Sequence, residues 1–128
     1  MNELIEIRDT VNKGRGVFAK KRIARDDTIE TAPVLLIPAE QWRHIEPTVL
    51  ALYIYNFGST AEQEHAAIAL GYGSLYNHSY QPNAQYIKDW ATQTIRFVAL
   101  RAIEPNEEIT VNYNGRPESR EPIWFEVH

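Results

Sequence analysis

The chain has 128 residues, 44% of them hydrophobic and 23% charged, with a net charge of −4 and no cysteine. That is enough for one domain whose core removes roughly two-thirds of the unfolded chain's surface from water. The acidic balance speaks against a dedicated nucleic-acid binder, and the lack of cysteine excludes disulfides and thiolate metal or redox centres.

The opening segment "MNELIEIRDT" is charged throughout, so it reads as neither a signal peptide nor a membrane span. Within it, "LIEIRDT" (residues 4–10) largely alternates apolar and polar side chains, the period of a half-buried strand. "NKGRGVFAKK" then places Gly14 and Gly16 around Arg15 and before Val17 and Phe18, a tight turn feeding a second strand. "DDTIETAPVLLIP" is expected to form a turn and strand pieces interrupted by Pro33, in what is also the longest apolar run, too short to cross a bilayer. "PAEQWRHI" is the best short helix, framed by Pro38 and Pro47. "TVLALYIYNFG" fits helix or strand, and its β-branched and aromatic content favours strand. "EHAAIALG" is a further strand candidate, and "NAQYIKDWATQTIRFVALRAI" is two strands around a polar turn. "EPNEEITVNYNG" reads as a turn and short strand, and "EPIWFEVH" as a terminal apolar piece. No repeat or linker stands out, so the expectation is one domain over 1–128, mostly β with short helices.

Between the fifth strand candidate and the hairpin lies "GYGSLYNHSYQPNAQY", in which Ser74, Asn77, His78, Ser79, Gln81 and Asn83 crowd among tyrosines. "NHS" matches a glycosylation sequon, which is empty in a chain with no signal sequence. His44, His65, His78 and His128 are scattered with no pair at ligand spacing, so no metal site is expected. Asn77 beside His78 offers groups able to hold a polar ligand, although a lone histidine more often serves packing. In "EPNEEITVNY", Pro105 presets a turn and Asn106 tolerates the left-handed conformation that follows it. Taken alone, Glu107 and Glu108 read as an acidic surface turn, with Tyr113 in the core.

The blocks "GRGVFA", "NHSYQPN" and "IRFVALRAIEPNEEITVNY", followed by a late aromatic pair, occur in an order that resembles the SET-domain protein-lysine methyltransferases. The resemblance runs from about residue 7 to residue 127 and implies a fold of several small curved sheets with a knot-like C-terminal crossing. It implies methyl transfer from S-adenosylmethionine to the side-chain amine of a lysine in a protein substrate, such as a basic tail. Lys13, Gly14 and Arg15 match the segment that touches the cofactor's methionine part, Asn77 and His78 the pair that binds it, and Trp124 an aromatic that covers its adenine. Tyr113 matches the catalytic tyrosine. Tyr86 matches a channel residue that limits the number of methyl groups, pointing to mono-methylation, and Tyr53 and Tyr55 are further channel candidates or core.

Ser74 and Tyr80 stand where many members carry arginine and cysteine, and Asn106 stands where a glycine is usual. No zinc-binding C-terminal module or pre-SET region is expected, and neither is a nucleic-acid or membrane partner. Small stand-alone viral and bacterial members allow a homodimer, and the expected location is the cytoplasm, or the nucleus for a eukaryotic or host-borne chain. Two readings compete with the enzyme: a non-catalytic SET-like binding module, and a methyltransferase with a non-lysine substrate.

Overall fold

A computed structural model of the chain describes residues 2–57, 65–113 and 115–120. Nine strands dominate it: β1 (Ile5–Asp9), β2 (Arg15–Ala19), β3 (Thr28–Ile37), β4 (Ile54–Asn56), β5 (Ala66–Ala69), β6 (Asn77–His78), β7 (Ala84–Asp89), β8 (Thr94–Ala99) and β9 (Glu108–Val111). They form a four-stranded sheet in the order β1-β2-β9-β6 and a five-stranded sheet in the order β4-β5-β3-β8-β7. All neighbours run antiparallel except β6 and β9, whose parallel pairing sets Asn77 against Thr110 and His78 against Val111. The expected approach of "NHSYQPN" to "ITVNY" is this pairing; the course of residues 121–128, and with it any threading by the C-terminus, lies outside the described residues.

Alternation explains most of these strands. In β8, Ile95 and Phe97 are fully buried while Arg96 between them is exposed, as a strand with one solvated face requires. Val17, Ile23, Ile29, Ile103, Ile109 and Val111 complete the core between the sheets. Burying side chains of this size is worth about 1.5–3 kcal/mol each before entropy is counted.

Two segments depart from the sequence reading. β3 is continuous through Pro33 rather than broken there. Pro33 falls where β3 stops pairing with β8 and begins pairing with β5, a position where a missing N–H interrupts neither ladder in mid-run. The stretch expected as one strand from Thr48 opens instead as a 3₁₀ turn, Val49–Tyr53, before β4. Thr48 explains the start, because its side-chain oxygen accepts from the N–H of Leu50 at 3.2 Å. The expected helix in "PAEQWRHI" is present as a 3₁₀ turn (Ala39–Gln41) running into α1 (Trp42–Ile45).

The two sheets are joined by a pair of matching corners. After β2, Asp27 N–H donates to Ala24 O at 3.1 Å with Asp26 at φ 71°; after β8, Glu107 N–H donates to Glu104 O at 3.1 Å with Asn106 at φ 72°. Each corner then bonds to the strand preceding the other: Asp26 N–H reaches Ala99 O, and Asn106 N–H reaches Ala19 O. Between them Ile23 and Ile103 exchange both backbone bonds at 2.8 Å. The chain therefore contains a local two-fold arrangement carried by alanine before each corner and isoleucine at its centre and exit.

The five-stranded sheet curls until its outer strands meet through aromatic rings. Tyr55 of β4 meets Tyr86 of β7 edge-on at 4.9 Å, and Phe57 lies 5.4 Å from Trp90.

Candidate active site

One end of the site is built on the β1–β2 turn. Gly14 has φ 75°, and its carbonyl accepts from Thr10 N–H at 2.6 Å, closing the turn. Lys13 Nζ then reaches Glu108 Oε1 on β9 at 3.1 Å. The other carboxylate oxygen, Oε2, accepts from Asn77 Nδ2 at 2.8 Å, and the same amide nitrogen donates to Arg15 O at 3.1 Å. Gly16 makes room for this cluster: a Cβ there would lie 2.5 Å from Glu108 Oε2 and 2.8 Å from Asn77 Nδ2, so those side chains would have to move. The structure thus brings Lys13, Gly14, Arg15 and Asn77 together, as expected from the sequence, and adds Glu108.

The parallel β6–β9 pairing carries the site onward. His78 is buried, and its Nδ1 accepts from Tyr113 N–H at 2.9 Å. That bond makes Nε2 the protonated nitrogen of the neutral ring. Nε2 is buried and meets no hydrogen-bond partner among the described residues. Burial, and then the nearby charge of Lys13, hold the imidazole pKa below its ordinary value. Tyr80, in the position where a cysteine is usual, packs edge-on against this ring at 4.4 Å.

Beyond His78 lies a group of tyrosines. Tyr113 Oη donates to Tyr76 O at 2.7 Å, and Tyr86 Oη donates to Tyr113 O at 3.1 Å. Tyr55 Oη donates to Gly73 O at 2.7 Å, and Tyr76 Oη to Glu30 Oε1 at 2.8 Å. Burial is the first cause pushing the Tyr86 and Tyr113 phenols up to about 12, and Tyr55 and Tyr76 are raised well above the ordinary value. Tyr53 is exposed at the end of its 3₁₀ turn, yet close enough to contribute to the shift of Tyr113.

Glu30 and Tyr76 escaped the sequence reading, and Glu108, expected on an acidic surface turn, is instead part-buried and bound to Lys13 and Asn77. Glu108 sits in the same "EE" pair as Glu107, which turns outward to bond Arg101. The start of β9 separates the two: Glu107 closes the corner before the strand, and Glu108 is the strand's first residue and meets Asn77. Trp124 and His128 lie outside the described residues, and among those described no cluster of His, Asp or Glu could hold a metal ion.

Comparison with known proteins agrees with this geometry. The SET domain family model matches residues 14–114. A curated Schizosaccharomyces pombe protein, histone-lysine N-methyltransferase, H3 lysine-37 specific, is 38% identical over 123 residues, covering 95% of this chain and 77% of its own. Among solved structures, a Plasmodium falciparum protein assigned as a histone methyltransferase superposes with a TM-score of 0.67 at 28% identity, over 85% of this chain and 96% of its own. The Neurospora SET domain protein DIM-5, a histone lysine methyltransferase, gives 0.65 at 21% identity, over 85% of this chain and 51% of its own, and so bears on the fold alone. The chain belongs to the SET-domain family. Its class is that of the protein-lysine methyltransferases, which generally use S-adenosylmethionine.

Proposed function

We propose that this chain transfers a methyl group from S-adenosylmethionine to a lysine of a basic protein segment, with Tyr113 as the catalytic residue. The observation that carries the assignment is the convergence of two unlike surfaces. One is charged and amide-rich, made by Lys13, Arg15, Asn77, His78 and Glu108; the other is tyrosine-lined, and the bond from Tyr113 N–H to His78 Nδ1 joins them. The first surface fits the cofactor. It offers a cation for a carboxylate, an amide oxygen for an ammonium, and in His78 Nε2 a buried donor that calls for an acceptor. Lys13, Gly14, Arg15, Asn77 and His78 would hold the cofactor, which supplies an electrophilic methyl group on a sulfonium.

The second surface fits a lysine amine. With phenol pKa values raised by burial, Tyr86 and Tyr113 stay protonated at neutral pH and cannot act as general bases. Their hydroxyl hydrogens are committed to protein carbonyls, so toward an incoming amine their oxygens present lone pairs. The rings of Tyr55, Tyr86 and Phe97 exclude water, which disfavours the charged form of lysine and lowers its pKa toward the neutral nucleophile. The amine's proton therefore leaves to solvent before transfer, and the tyrosine oxygens orient the remaining lone pair. Tyr86, bonded to the Tyr113 carbonyl beside the catalytic ring, supports mono-methylation.

A histone tail is the substrate class we favour, because the fission-yeast relative is named for lysine 37 of histone H3. The test is Tyr113→Phe assayed with labelled cofactor and histone H3. We expect cofactor affinity to stay within a few-fold and methyl transfer to fall by about 10²–10³. Unchanged transfer would remove Tyr113 from the mechanism, and failure of the wild type to bind cofactor would remove the enzyme reading.

A further inference from the structure

The carboxylate of Glu108 is the centre of the charged surface, and no part of the chemistry above uses it. Its two oxygens are committed in different directions, Oε1 to the Lys13 ammonium at 3.1 Å and Oε2 to Asn77 Nδ2 at 2.8 Å. An amide nitrogen has two hydrogens, and the second of Asn77's goes to Arg15 O at 3.1 Å. Both donors are spent on the protein, so the amide orientation is fixed and Oδ1 is what Asn77 can offer a ligand. Gly16 leaves the space in which this locked pair fits.

We infer that Glu108 is a positioning residue that reads the zwitterionic amino-acid end of the cofactor. It turns Asn77 Oδ1 outward as an acceptor for the α-ammonium and holds Lys13 beside it for the α-carboxylate. This deepens the cofactor assignment and rests on it. Removing the charge at position 108 loosens both partners at once: Asn77 becomes free to flip its amide, and Lys13 loses its anchor. The adenosine end is served by other groups and is unaffected.

Calorimetry with two probes separates these ends. S-adenosylhomocysteine carries the amino-acid moiety, and 5′-methylthioadenosine lacks it. In the wild type we expect the first to bind more tightly. For Glu108→Gln we expect affinity for S-adenosylhomocysteine to fall by about ten-fold or more, with affinity for methylthioadenosine within about two-fold, so that discrimination between them collapses. Retained methylthioadenosine binding also shows that the variant is folded. Lys13→Met, which keeps the Glu108–Asn77 bond, should lose part of the discrimination and not all of it. Equal weakening of both probes by Glu108→Gln assigns Glu108 to scaffolding and overturns the inference, as does discrimination unchanged from wild type. If the wild type binds neither probe, it is the cofactor assignment that fails.

Discussion

At the scale of single residues, His78 ties the two halves of the site together, and its protonation state decides whether the tie exists. Nδ1 can accept from Tyr113 N–H only while it is unprotonated. Burial first, and the positive charge of Lys13 second, lower the imidazole pKa from its ordinary value of about 6.5. The unfolded chain thus binds this proton more readily than the folded one. The contribution to stability is fully present above the ordinary value and is lost as pH falls through the lowered, folded one. Transfer activity should accordingly hold through neutral pH and drop on an acid limb below about 6.5. The same limb should follow the backbone amide shift of Tyr113 in an NMR titration, and an amide shift that ignores pH across that range would sever the link. Unfolding followed against pH in His78→Asn should show a flatter acid dependence, since Asn77, Lys13 and the tyrosines remain but the titrating ring does not.

At the scale of elements, the short parallel pair β6–β9 is held by more than its own two residue pairs. Asn83 is buried, and its side chain donates to Glu108 O at 2.8 Å while accepting from Thr110 N–H at 2.9 Å. One amide thereby stands in for a stretch of strand along β9. Asn83→Ala removes both bonds and leaves the buried Thr110 N–H unpaired, so we expect a loss of about 2–3 kcal/mol. Urea unfolding would show it as a lower midpoint with the slope unchanged; a midpoint equal to wild type would mean that water replaces the amide at no cost. The role was only partly legible beforehand. The "NHSYQPN" block marked the segment, but which of its polar side chains face a ligand and which brace a strand depends on the partner strand, 25–31 residues away. The hairpin β7–β8 was legible, because alternation and a polar turn are local signals. The Pro105–Asn106 corner was legible for the same reason, and φ 72° at Asn106 is the left-handed conformation that asparagine tolerates. Val49–Tyr53 was not, because its β-branched and aromatic residues favour a strand and a single capping threonine turns the first of them into 3₁₀. The opposed fates of Glu107 and Glu108 were hidden too, since identical neighbours do not show where the corner ends and β9 begins.

At the scale of the molecule, the site belongs to neither sheet alone. Lys13 and Glu108 are 95 residues apart in sequence, and Asn77 meets Glu108 across 31. The cofactor surface exists once β9 has entered the first sheet between β2 and β6, whereas the aromatic wall needs β4 and β7 to close the second. Contacts of such separation pay loop-closure entropy before they are rewarded, so we expect this site to be assembled late in folding. The local two-fold arrangement escaped the sequence reading because only small, common residues mark it: alanine before each corner and isoleucine within and after it.

The matched corners have a consequence for how the chain may be divided. A cut between β4 and β5 would leave β1–β4 on one piece and β5–β9 on the other, and each sheet draws strands from both. Neither piece could bury its own apolar face, since Ile23 and Ile103, which bond to each other, would be on different molecules. Expressed separately, the two pieces should show little amide protection. Mixed at equimolar ratio, they should assemble through the reciprocal corner bonds and recover cofactor binding, with an apparent affinity that rises with fragment concentration. A piece that proves protected from exchange on its own would show that one sheet can stand without the other. The protein behaves, on this view, as a heterodimer whose subunits happen to share a chain.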